Sequence, residues 1–443
     1  MNILFIIIDN SNHISYFPLG TGYIASVLRK EGHNVSIYNQ DYHHYSEEHL
    51  KLYIENHNFD IIGIGSISGC YTYKKLKAIS QAVNSCNNRR NFLYVLGGHM
   101  PSADPQYFIN KMEADVVVKN EGELSILKLV RDMKPGIYES PQIQDLDSIP
   151  QPAYDLFPIE YYRLQRLPNI EPTEFSMSVI TGRGCNWNCS FCFKSSTGIR
   201  LRNIQSIVNE IQYLKDKYNI SYIDFADDLT MASKERAIEL SEALIPLNIK
   251  WRCEGRLNFV TEDILQVMKK AGCIFINYGI ESLDNDILKN IKKGLTDDLI
   301  IKGIEFTLKV GISPGLNMLF NLPGDNKETL RKNTDFLLKY DDLAQIRTIG
   351  VCQPYPGSEL FNIAKERGLV KDIEDFFENK LKNNDLLSCN FMNISDNEAY
   401  SALYRTNFEL LTNYYKKKIY NTEIQLKDLY LNKNINFRGW RHT

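Results

Sequence analysis

The sequence has no large excess of charge of either sign and no long hydrophobic run. It carries 51 Lys and Arg against 54 Asp and Glu, and its formal net charge is −3. A chain without a basic excess is not expected to bind nucleic acid or an anionic membrane surface. Its longest apolar runs, such as residues 3–8, are far shorter than the ~20 residues that span a bilayer. The first residues also lack the order of a signal peptide, and we therefore predict a cytoplasmic protein.

A glycine-rich dinucleotide motif is also missing from the N-terminal part of the chain. In residues 1–135, short apolar strands alternate with amphipathic helices, which is typical of a parallel sheet covered on both faces. These residues predict a doubly wound, Rossmann-like domain. No G-x-G-x-x-G follows the first strand, which argues against a nicotinamide cofactor. The predicted strands are residues 3–8, 35–38, 61–65, 92–96 and 115–118.

Ligands of such a sheet bind in the loops beyond the carboxyl ends of its strands. The first of these loops is long, and Gly97 and Gly98 let the backbone approach a ligand closely. We therefore predict a ligand that is larger and flatter than a dinucleotide. The predicted ligand loops are residues 9–21, 66–70, 97–101 and 120–123.

The rest of the chain divides into three further stretches. Residues 136–172 are rich in proline without periodicity and predict a linker. Residues 173–365 contain six successive βα units, which predict a partial (β/α)6 barrel. Residues 366–443 predict a helical C-terminal region, in which tyrosines either cap the barrel mouth or belong to a packing pair of helices.

Three of the nine cysteines lie within eight residues, in the loop after the first predicted barrel strand. Cys185, Cys189 and Cys192 have the spacing C-x3-C-x2-C. A structural zinc site normally needs four ligands, and neither a histidine nor a fourth cysteine lies nearby. Three thiolates suit an iron–sulfur cluster of the [4Fe–4S] type with one iron open to another ligand. The alternative is three structural thiols, and the scattered remaining cysteines are interpreted as core residues.

Polar side chains follow the other predicted barrel strands, where the chemistry of a βα barrel takes place. They are interpreted as a rim that faces the cysteine loop. Taken singly, the acids are also explained as N-terminal residues of helices that interact with the helix dipole. These rim residues are Asp227, Asp228, Glu254, Arg256, Glu281, Ser282 and Asn317.

The cysteine motif in this setting resembles that of the radical S-adenosylmethionine (SAM) superfamily. The resemblance implies that Cys185, Cys189 and Cys192 hold the cluster and that its open iron binds SAM. Reductive cleavage of SAM would then yield a 5′-deoxyadenosyl radical, with a flavodoxin- or ferredoxin-type protein as the reductant. The implied SAM contacts are Asp227 and Asp228 for the amino group, Arg256 for the carboxylate, Glu281 and Ser282 for the methionine or ribose end, Phe191 near the adenine, and Asn317.

The N-terminal half resembles the cobalamin-binding domain that is fused to one large radical SAM class. The resemblance rests on residues 17–23, 97–101 and 120–123, taken in this order, and residues 354–358, after the sixth predicted barrel strand, are also typical of this class. It implies contacts with cobalamin from Gly20, Ser66, Gly97, Gly98, His99 and Glu121. The motif D-x-H-x-x-G is absent, which leaves open whether the protein provides a ligand to cobalt and whether cobalamin binds at all.

This resemblance implies a cobalamin-dependent radical SAM methyltransferase. Its substrate would be an unactivated carbon or phosphorus centre of a small molecule, such as a natural-product intermediate. One alternative is a radical rearrangement, cyclisation or ring contraction without methyl transfer. Another is an iron–sulfur electron carrier or sensor, which would need the cluster without the SAM rim. The catalytic residues and the substrate are not readable from the sequence.

Overall fold

A computed structural model describes residues 1–11, 16–194 and 196–435. The N-terminal part is one parallel sheet of six strands, in the order β2-β1-β3-β4-β5-β6. The predicted doubly wound architecture is therefore confirmed. The strands are β1 (Asn2–Ile7), β2 (Asn34–Asn39), β3 (Ile61–Gly65), β4 (Leu93–Gly97), β5 (Val116–Val118) and β6 (Gly136–Tyr138).

Helices cover both faces of this sheet because successive side chains of a strand point to opposite faces. Ile3 and Phe5 of β1 pack on one side, and Leu4 and Ile6 pack on the other. The result is two separate apolar layers, one on each face. The helices are α1 (Leu19–Lys30), α2 (Gln40–His43), α3 (Glu47–Glu55), α4 (Cys70–Asn84), α5 (His99–Ala103), α6 (Pro105–Met112) and α7 (Gly122–Asp132).

The predicted linker is wrong at its start and is more ordered than its composition suggested. Strand β6 lies inside it and pairs with β5 through Val116 and Gly136. Further on, a short helix α8 (Ile159–Tyr162) packs against the first ligand loop. The ring of Phe17 lies 5.1 Å from that of Tyr154 and 4.9 Å from that of Phe157. The proline-rich segment therefore packs against both sheets. The domain boundaries at residues 135, 172 and 365 otherwise stay predictions.

The second sheet confirms the predicted partial barrel. Its six strands are parallel and follow each other in chain order, from β7 at one edge to β14 at the other. A short antiparallel ribbon, β8 and β9, brackets the cysteine loop. The strands are β7 (Ser176–Val179), β8 (Gly182–Arg183), β9 (Arg200–Leu201), β10 (Tyr222–Phe225), β11 (Lys250–Gly255), β12 (Cys273–Glu281), β13 (Ser313–Phe320) and β14 (Gly350–Val351).

The barrel helices pack on the outer face of this sheet, except the last, residues 359–366, whose buried side chains belong to an apolar layer of the N-terminal domain. Met177 of β7 and Phe225 of β10 belong to this outer core. The residues that alternate with them, such as Ser178 and Asp224, face the concave side, which we call the lumen. The helices are α9 (Ile204–Tyr218), α10 (Lys234–Leu244), α11 (Glu262–Lys270), α12 (Asn285–Asn290), α13 (Asp297–Lys309), α14 (Lys327–Lys339) and α15 (Glu359–Glu366).

The C-terminal region is helical, as predicted, but it contains one long helix instead of a pair. This helix is α16 (Asp396–Tyr430), and it packs along α14. Before it, residues 375–380 form a π-helical turn that packs on the N-terminal domain. The Phe377 ring stacks on that of Tyr73 at 4.6 Å. Within the described ranges, no helix has both the length and the apolar character needed to cross a bilayer.

Candidate active site

The cysteine loop is held by backbone contacts that only particular residues allow. Gly184 has a φ of +88°, and a Cβ there would lie 2.1 Å from the carbonyl oxygen of Gly198. A side chain at this position would therefore displace the opposite side of the loop. The Ser190 N–H donates to the carbonyl of Ile291 (3.0 Å), and the Leu360 N–H donates to the carbonyl of Ser190 (2.7 Å). These bonds fix the loop against the ends of α12 and α15.

The three loop cysteines are accessible, whereas Cys70, Cys86, Cys253, Cys273, Cys352 and Cys389 are buried. Desolvation, together with the nearby thiol of Cys189, raises the pKa of Cys192 to about 11. Among the described residues, no three His, Cys, Asp or Glu side chains are already gathered around one metal position. The loop therefore fits a cluster through the chemistry of its three thiols and through its surroundings.

Arg256 lies beside this loop, as predicted. Its guanidinium lies 3.7 Å from the ring centroid of Trp187, and its Nη1 lies 3.9 Å from Sγ of Cys189. Its Nε donates to Oδ1 of Asn258, but its buried Nη2 has no hydrogen-bond partner. Because an unsatisfied buried donor costs about 1–3 kcal/mol, this atom is suited to a bound anion. A carboxylate such as that of SAM fits this position.

Glu281 forms a buried ion pair that the sequence did not predict. Nζ of Lys293 donates to Oε1 of Glu281 at 2.8 Å, and both residues are buried. Glu281 has a φ of +70°, which is strained for a residue with a side chain. Lys293 Nζ also lies 5.7 Å from the ring centroid of Phe191, beside Cys192. Lys293 stands twelve residues beyond Glu281 and has no motif of its own, so only the fold reveals it.

Ser282 and Asn317 have contacts other than those predicted. Ser282 is fully buried, and its Oγ accepts the N–H of Asp284 at the start of α12. This contact gives Ser282 a structural role. Asn317 is exposed on the lumen, and its Nδ2 donates to Oδ1 of Asn277 at 2.8 Å.

Asp227, a predicted contact for the SAM amino group, anchors the base of the cysteine loop. Its carboxylate accepts the N–H and O–H of Thr181, both at 2.6 Å, and the N–H of Gly182 at 3.1 Å. The hydroxyl of Thr230 is a fourth donor. A carboxylate has about four acceptor sites, so these donors occupy all of them. Burial raises the pKa of Asp227 to about 6, although these hydrogen bonds oppose the shift.

Asp228 also contacts the cysteine loop but keeps part of its carboxylate accessible. Its Oδ2 accepts the N–H of Gly184 at 3.0 Å. Asp228 lines a cavity, described below, together with His99. Of the two predicted acids, Asp228 is therefore the one with acceptor capacity left for a ligand.

A chain of polar side chains crosses the lumen from β7 to β13. Ser178 donates to Asp224, which pairs with Arg252. Arg252 also approaches Glu254, with Nη1 3.6 Å from Oε1, and Asn277 donates to Glu254 Oε2 at 2.8 Å. Burial raises the pKa of Glu254 to about 7. Of this network, only Glu254 and Asn317 were predicted from the sequence. The other members could have been found from the polar residues that lie between apolar ones in each strand.

The first of two cavities, the sheet-end cavity, lies at the carboxyl ends of β1, β3 and β4 and has a volume of about 660 Å³. Four of the predicted cobalamin contacts, Gly20, Ser66, Gly98 and His99, line it. A Cβ on Gly20 would have no atom within 4 Å, so this position opens into free space. The buried Oγ of Ser66 has no hydrogen-bond partner. A polar, flat ligand that approaches the backbone closely fits this cavity.

Gly98 is required by the backbone at this site. Its φ is +92°, and a Cβ would lie 2.3 Å from the carbonyl oxygen of Ser66. Gly97 ends β4 and does not line the sheet-end cavity. The side chain of His99 is exposed. Desolvation lowers its pKa, and the charge of Asp228 opposes this shift. His13, the other histidine on a predicted ligand loop, lies outside the described residues.

The second cavity, the bridging cavity, has a volume of about 340 Å³ and joins the two halves of the molecule. Leu19, Gly20, Gly98 and His99 line both cavities. The bridging cavity also reaches Asp228 and the base of the cysteine loop. The ligand loops of the first sheet and the rim of the barrel therefore face each other across shared walls.

Glu121, a predicted cobalamin contact, bridges the two halves of the molecule. Its carboxylate pairs with Arg200 of β9 at 2.5 Å and accepts the N–H of Ile143 at 2.9 Å. A neighbouring pair joins Glu123 of α7 to Arg183 of β8 at 2.5 Å. These acids lie beside the bridging cavity, and they fasten the N-terminal domain to the ribbon that carries the cysteine loop.

Two segments of the chain match known families. Residues 179–337 match the radical SAM superfamily, and residues 12–130 match the B12 binding domain. Over 380 residues, the chain is 30% identical to an uncharacterized methyltransferase of Pyrococcus horikoshii, across 80% of this chain and 79% of the relative. Over 387 residues, it is 22% identical to the hopanoid C-3 methylase of Methylococcus capsulatus, across 81% of this chain and 71% of the relative.

A similar fold occurs in TsrM of Kitasatospora setae, a radical S-adenosylmethionine methyltransferase solved with cobalamin and a [4Fe–4S] cluster bound. The two folds superpose with a TM-score of 0.64 at 16% sequence identity, over 83% of this chain and 78% of TsrM. A second structure of TsrM holds a tryptophan substrate and a SAM analogue. At this identity, the likeness concerns the fold.

Proposed function

We infer the function from the family to which the chain belongs, the radical SAM enzymes that carry a B12-binding domain, and we propose that it is a cobalamin-dependent methyltransferase. The predicted family is confirmed. One structural observation supports the proposed reaction above all others: the sheet-end and bridging cavities share Leu19, Gly20, Gly98 and His99. A methyl carrier in one cavity and SAM at the other would therefore reach a common substrate.

The residues fit the three cofactors that this family implies. Cys185, Cys189 and Cys192 supply the thiols for the cluster, and the unpaired Nη2 of Arg256 supplies a donor for the SAM carboxylate. The orphaned Oγ of Ser66 and the open space at Gly20 suit cobalamin. When bound, the cluster and SAM supply one-electron cleavage chemistry, and cobalamin supplies a carrier for a methyl group.

The chain's own residues position these groups. Asp227 and Asp228 hold the base of the cysteine loop through Thr181 and Gly184. Buried ion pairs at Glu121 and Glu123 fix the distance between the two sheets. A fixed separation matters because a reacting group misplaced by about 1 Å can lose much of its rate.

The substrate is proposed to be a small molecule that binds at the lumen. Glu254, Asn277 and Asn317 offer a donor and acceptor network there, and Asn317 is exposed. Tyr16 of the first ligand loop interacts electrostatically with Arg252 and Glu254, so this network lies near the sheet-end cavity. The tryptophan substrate of TsrM is a precedent for a small, polar substrate in this fold.

The test is isotopic and stoichiometric. Reconstituted protein with cobalamin, a reductant and methyl-deuterated SAM is incubated with fractions of a small-molecule extract. A methyltransferase gives a product that carries the labelled methyl group, with one S-adenosylhomocysteine and one 5′-deoxyadenosine per product. An isomerised, cyclised or oxidised product without label would overturn methyl transfer and favour the radical rearrangement.

The proposal includes a flavodoxin- or ferredoxin-type reductant and a cytoplasmic location. Cleavage of SAM by the cluster consumes one electron, which the chain itself does not supply. Reduced flavodoxin should therefore support 5′-deoxyadenosine formation. Activity with a chemical reductant but with neither flavodoxin nor ferredoxin would contradict this part of the proposal.

A further inference from the structure

Helix α16 has two faces of different character. Ala399, Thr406 and Leu410 are buried on the face that packs along α14. Ion pairs from Arg331 to Glu409 and from Lys327 to Glu398 join the same two helices. This packing ends near Lys417, whose Nζ lies 3.7 Å from Asp341.

The opposite face of α16 is an exposed apolar stripe. At ~100° per residue, the members of the stripe fall within about 80° of the helix circumference, opposite the buried face. Their exposed fractions lie between 38% and 69%. The members are Tyr404, Phe408, Tyr415, Ile419, Leu426 and Tyr430.

The last part of this helix leaves the body of the molecule. From residue 418 to residue 430, the only hydrogen bonds and ion pairs in the described chain are local ones, such as Lys427 to Glu423. These residues extend the helix by roughly 20 Å. A contiguous apolar surface of this kind marks an interaction site.

We propose that the stripe is the interface with a second copy of this chain, paired antiparallel about a two-fold axis near residue 417. The spacing along the stripe is 4, 7, 4, 7 and 4 residues, which reads the same in both directions. In an antiparallel pair, Tyr404 therefore meets Tyr430 of the other copy, and Phe408 meets Leu426. Self-complementarity of this kind is what a two-fold interface requires.

The size and chemistry of the stripe also suit a dimer. Aromatic side chains bury about 150–250 Å² each. Four half-exposed aromatic members together with Ile419 and Leu426 therefore supply at most on the order of 600 Å² per copy. A standard interface buries about 800 Å² per partner. Tyrosine and phenylalanine are enriched in the cores of such interfaces. This proposal is independent of the proposed methyl transfer.

The first test measures the oligomeric state of the cluster-loaded, full-length protein. The wild type should sediment as a dimer that dissociates on dilution. The double variant Phe408→Glu/Ile419→Glu should be a monomer, because it places charges at the centre of the stripe. The matched control Tyr420→Glu/Ile424→Glu changes two exposed residues away from the stripe and should remain dimeric. Unchanged melting temperatures verify that both variants are folded.

Three results would overturn the proposal. The first is a wild type that stays monomeric at all concentrations. The second is a control variant Tyr420→Glu/Ile424→Glu that dissociates like the stripe variant. The third is a monomer that sediments with vesicles of phosphatidylcholine and phosphatidylglycerol and loses this binding in Phe408→Glu/Ile419→Glu. That result would assign the stripe to a membrane surface.

A second test determines the orientation of the two helices. In the antiparallel pair, Ile419→Cys residues of the two copies are offset by about 6 Å along the axis, whereas Tyr404→Cys residues are about 39 Å apart. A short bismaleimide should therefore link Ile419→Cys protein into a dimer and leave Tyr404→Cys protein unlinked. Equal linking of both variants, above the background of the unmodified protein, would show a parallel pair.

Discussion

At the scale of single residues, the site contains two kinds of side chain. Some have a buried polar atom that is available to a ligand, and others have polar atoms that bond to the protein itself. Arg256 has a buried donor without a partner, and Ser66 has a buried hydroxyl without one. Asp227 and Glu121 instead have their carboxylates occupied by donors of the chain itself. All four lie at strand or helix ends. Only their hydrogen-bond partners in the structure therefore distinguish a contact for a cofactor from an anchor of a loop.

Replacing one loop cysteine should remove the cluster and the chemistry that depends on it. In Cys189→Ala, only two thiols remain on the loop, and two ligands do not hold a [4Fe–4S] cluster. We expect loss of bound iron and sulfide, and 5′-deoxyadenosine formation below detection by chromatography.

The matched control for this cysteine is Cys86→Ala, which removes a buried thiol of the N-terminal domain. It should keep the iron content of the wild type. Full cleavage of SAM by the Cys189→Ala protein would contradict the assignment of the cluster ligands.

A buried acid outside the site should make stability depend on pH. Burial raises the pKa of Asp325 from 3.8 to about 7, although the Leu322 N–H and Thr329 hydroxyl hydrogen bond to it. A raised folded-state pKa gives a stability contribution that is present below pH ~4 and lost as the pH rises through 7. The Tm of Asp325→Asn relative to the wild type should therefore increase between pH 5 and pH 8. A constant difference across this range would contradict the raised pKa.

At the scale of elements, one turn determines the shape of the sheet-end cavity. Gly98 follows β4 with a φ of +92°, and its missing Cβ leaves room for the backbone of Ser66. In Gly98→Ala the new methyl group would lie 2.3 Å from that carbonyl oxygen, so the two loops must separate. We expect weaker retention of hydroxocobalamin, measured by corrinoid absorbance after desalting.

The control for the turn is Gly350→Ala in β14. A Cβ there has no atom within 4 Å, and its φ is not in the left-handed region. This variant should bind cobalamin like the wild type. Equal retention by Gly98→Ala would show that the cobalamin does not depend on this turn.

Elements with strong periodicity were predictable from the sequence, and elements built by tertiary contacts were not. The apolar run at β1 and the alternation that forms β10 announce their strands directly. Strand β6 has only three residues in a proline-rich stretch, and its pairing with β5 creates it. The pair of Glu281 and Lys293 was not predictable for a related reason. The chain returns through helix α12 and so brings together two residues without a common motif.

At the scale of the whole molecule, the two sheets present their ligand-binding rims to each other across shared cavity walls. Two buried ion pairs join the two halves. Arg183 of the ribbon pairs with Glu123 of the first domain, and Arg200 pairs with Glu121. The C-terminal region adds a second connection, since Phe377 packs on the ring of Tyr73. The distance between the sheet-end cavity and the cysteine loop is therefore set by contacts outside both.

The variant Glu123→Gln tests whether these ion pairs hold the two halves together, because it removes one charge of the pair with Arg183. Removing one partner of a buried ion pair costs about 3–5 kcal/mol where the remaining charge is left unpaired. A smaller cost is expected here, because Arg183 keeps a contact with Glu121 at 3.7 Å. The cysteine loop keeps its anchors at Asp227 and Asp228, so iron content and SAM cleavage should be retained. The ratio of methylated product to 5′-deoxyadenosine should fall, because the two ligand-binding rims are no longer held at a fixed distance from each other.

The matched control is Asp155→Asn, which breaks the exposed pair with Arg29. Exposed pairs contribute only about 0–1 kcal/mol, so this variant should keep the product ratio of the wild type. If Glu123→Gln lowered SAM cleavage and methyl transfer in equal proportion, the pair would be acting on the cluster loop alone. A selective loss of methyl transfer would instead locate the role of Glu123 between the two rims, where a substrate has to meet both cofactors.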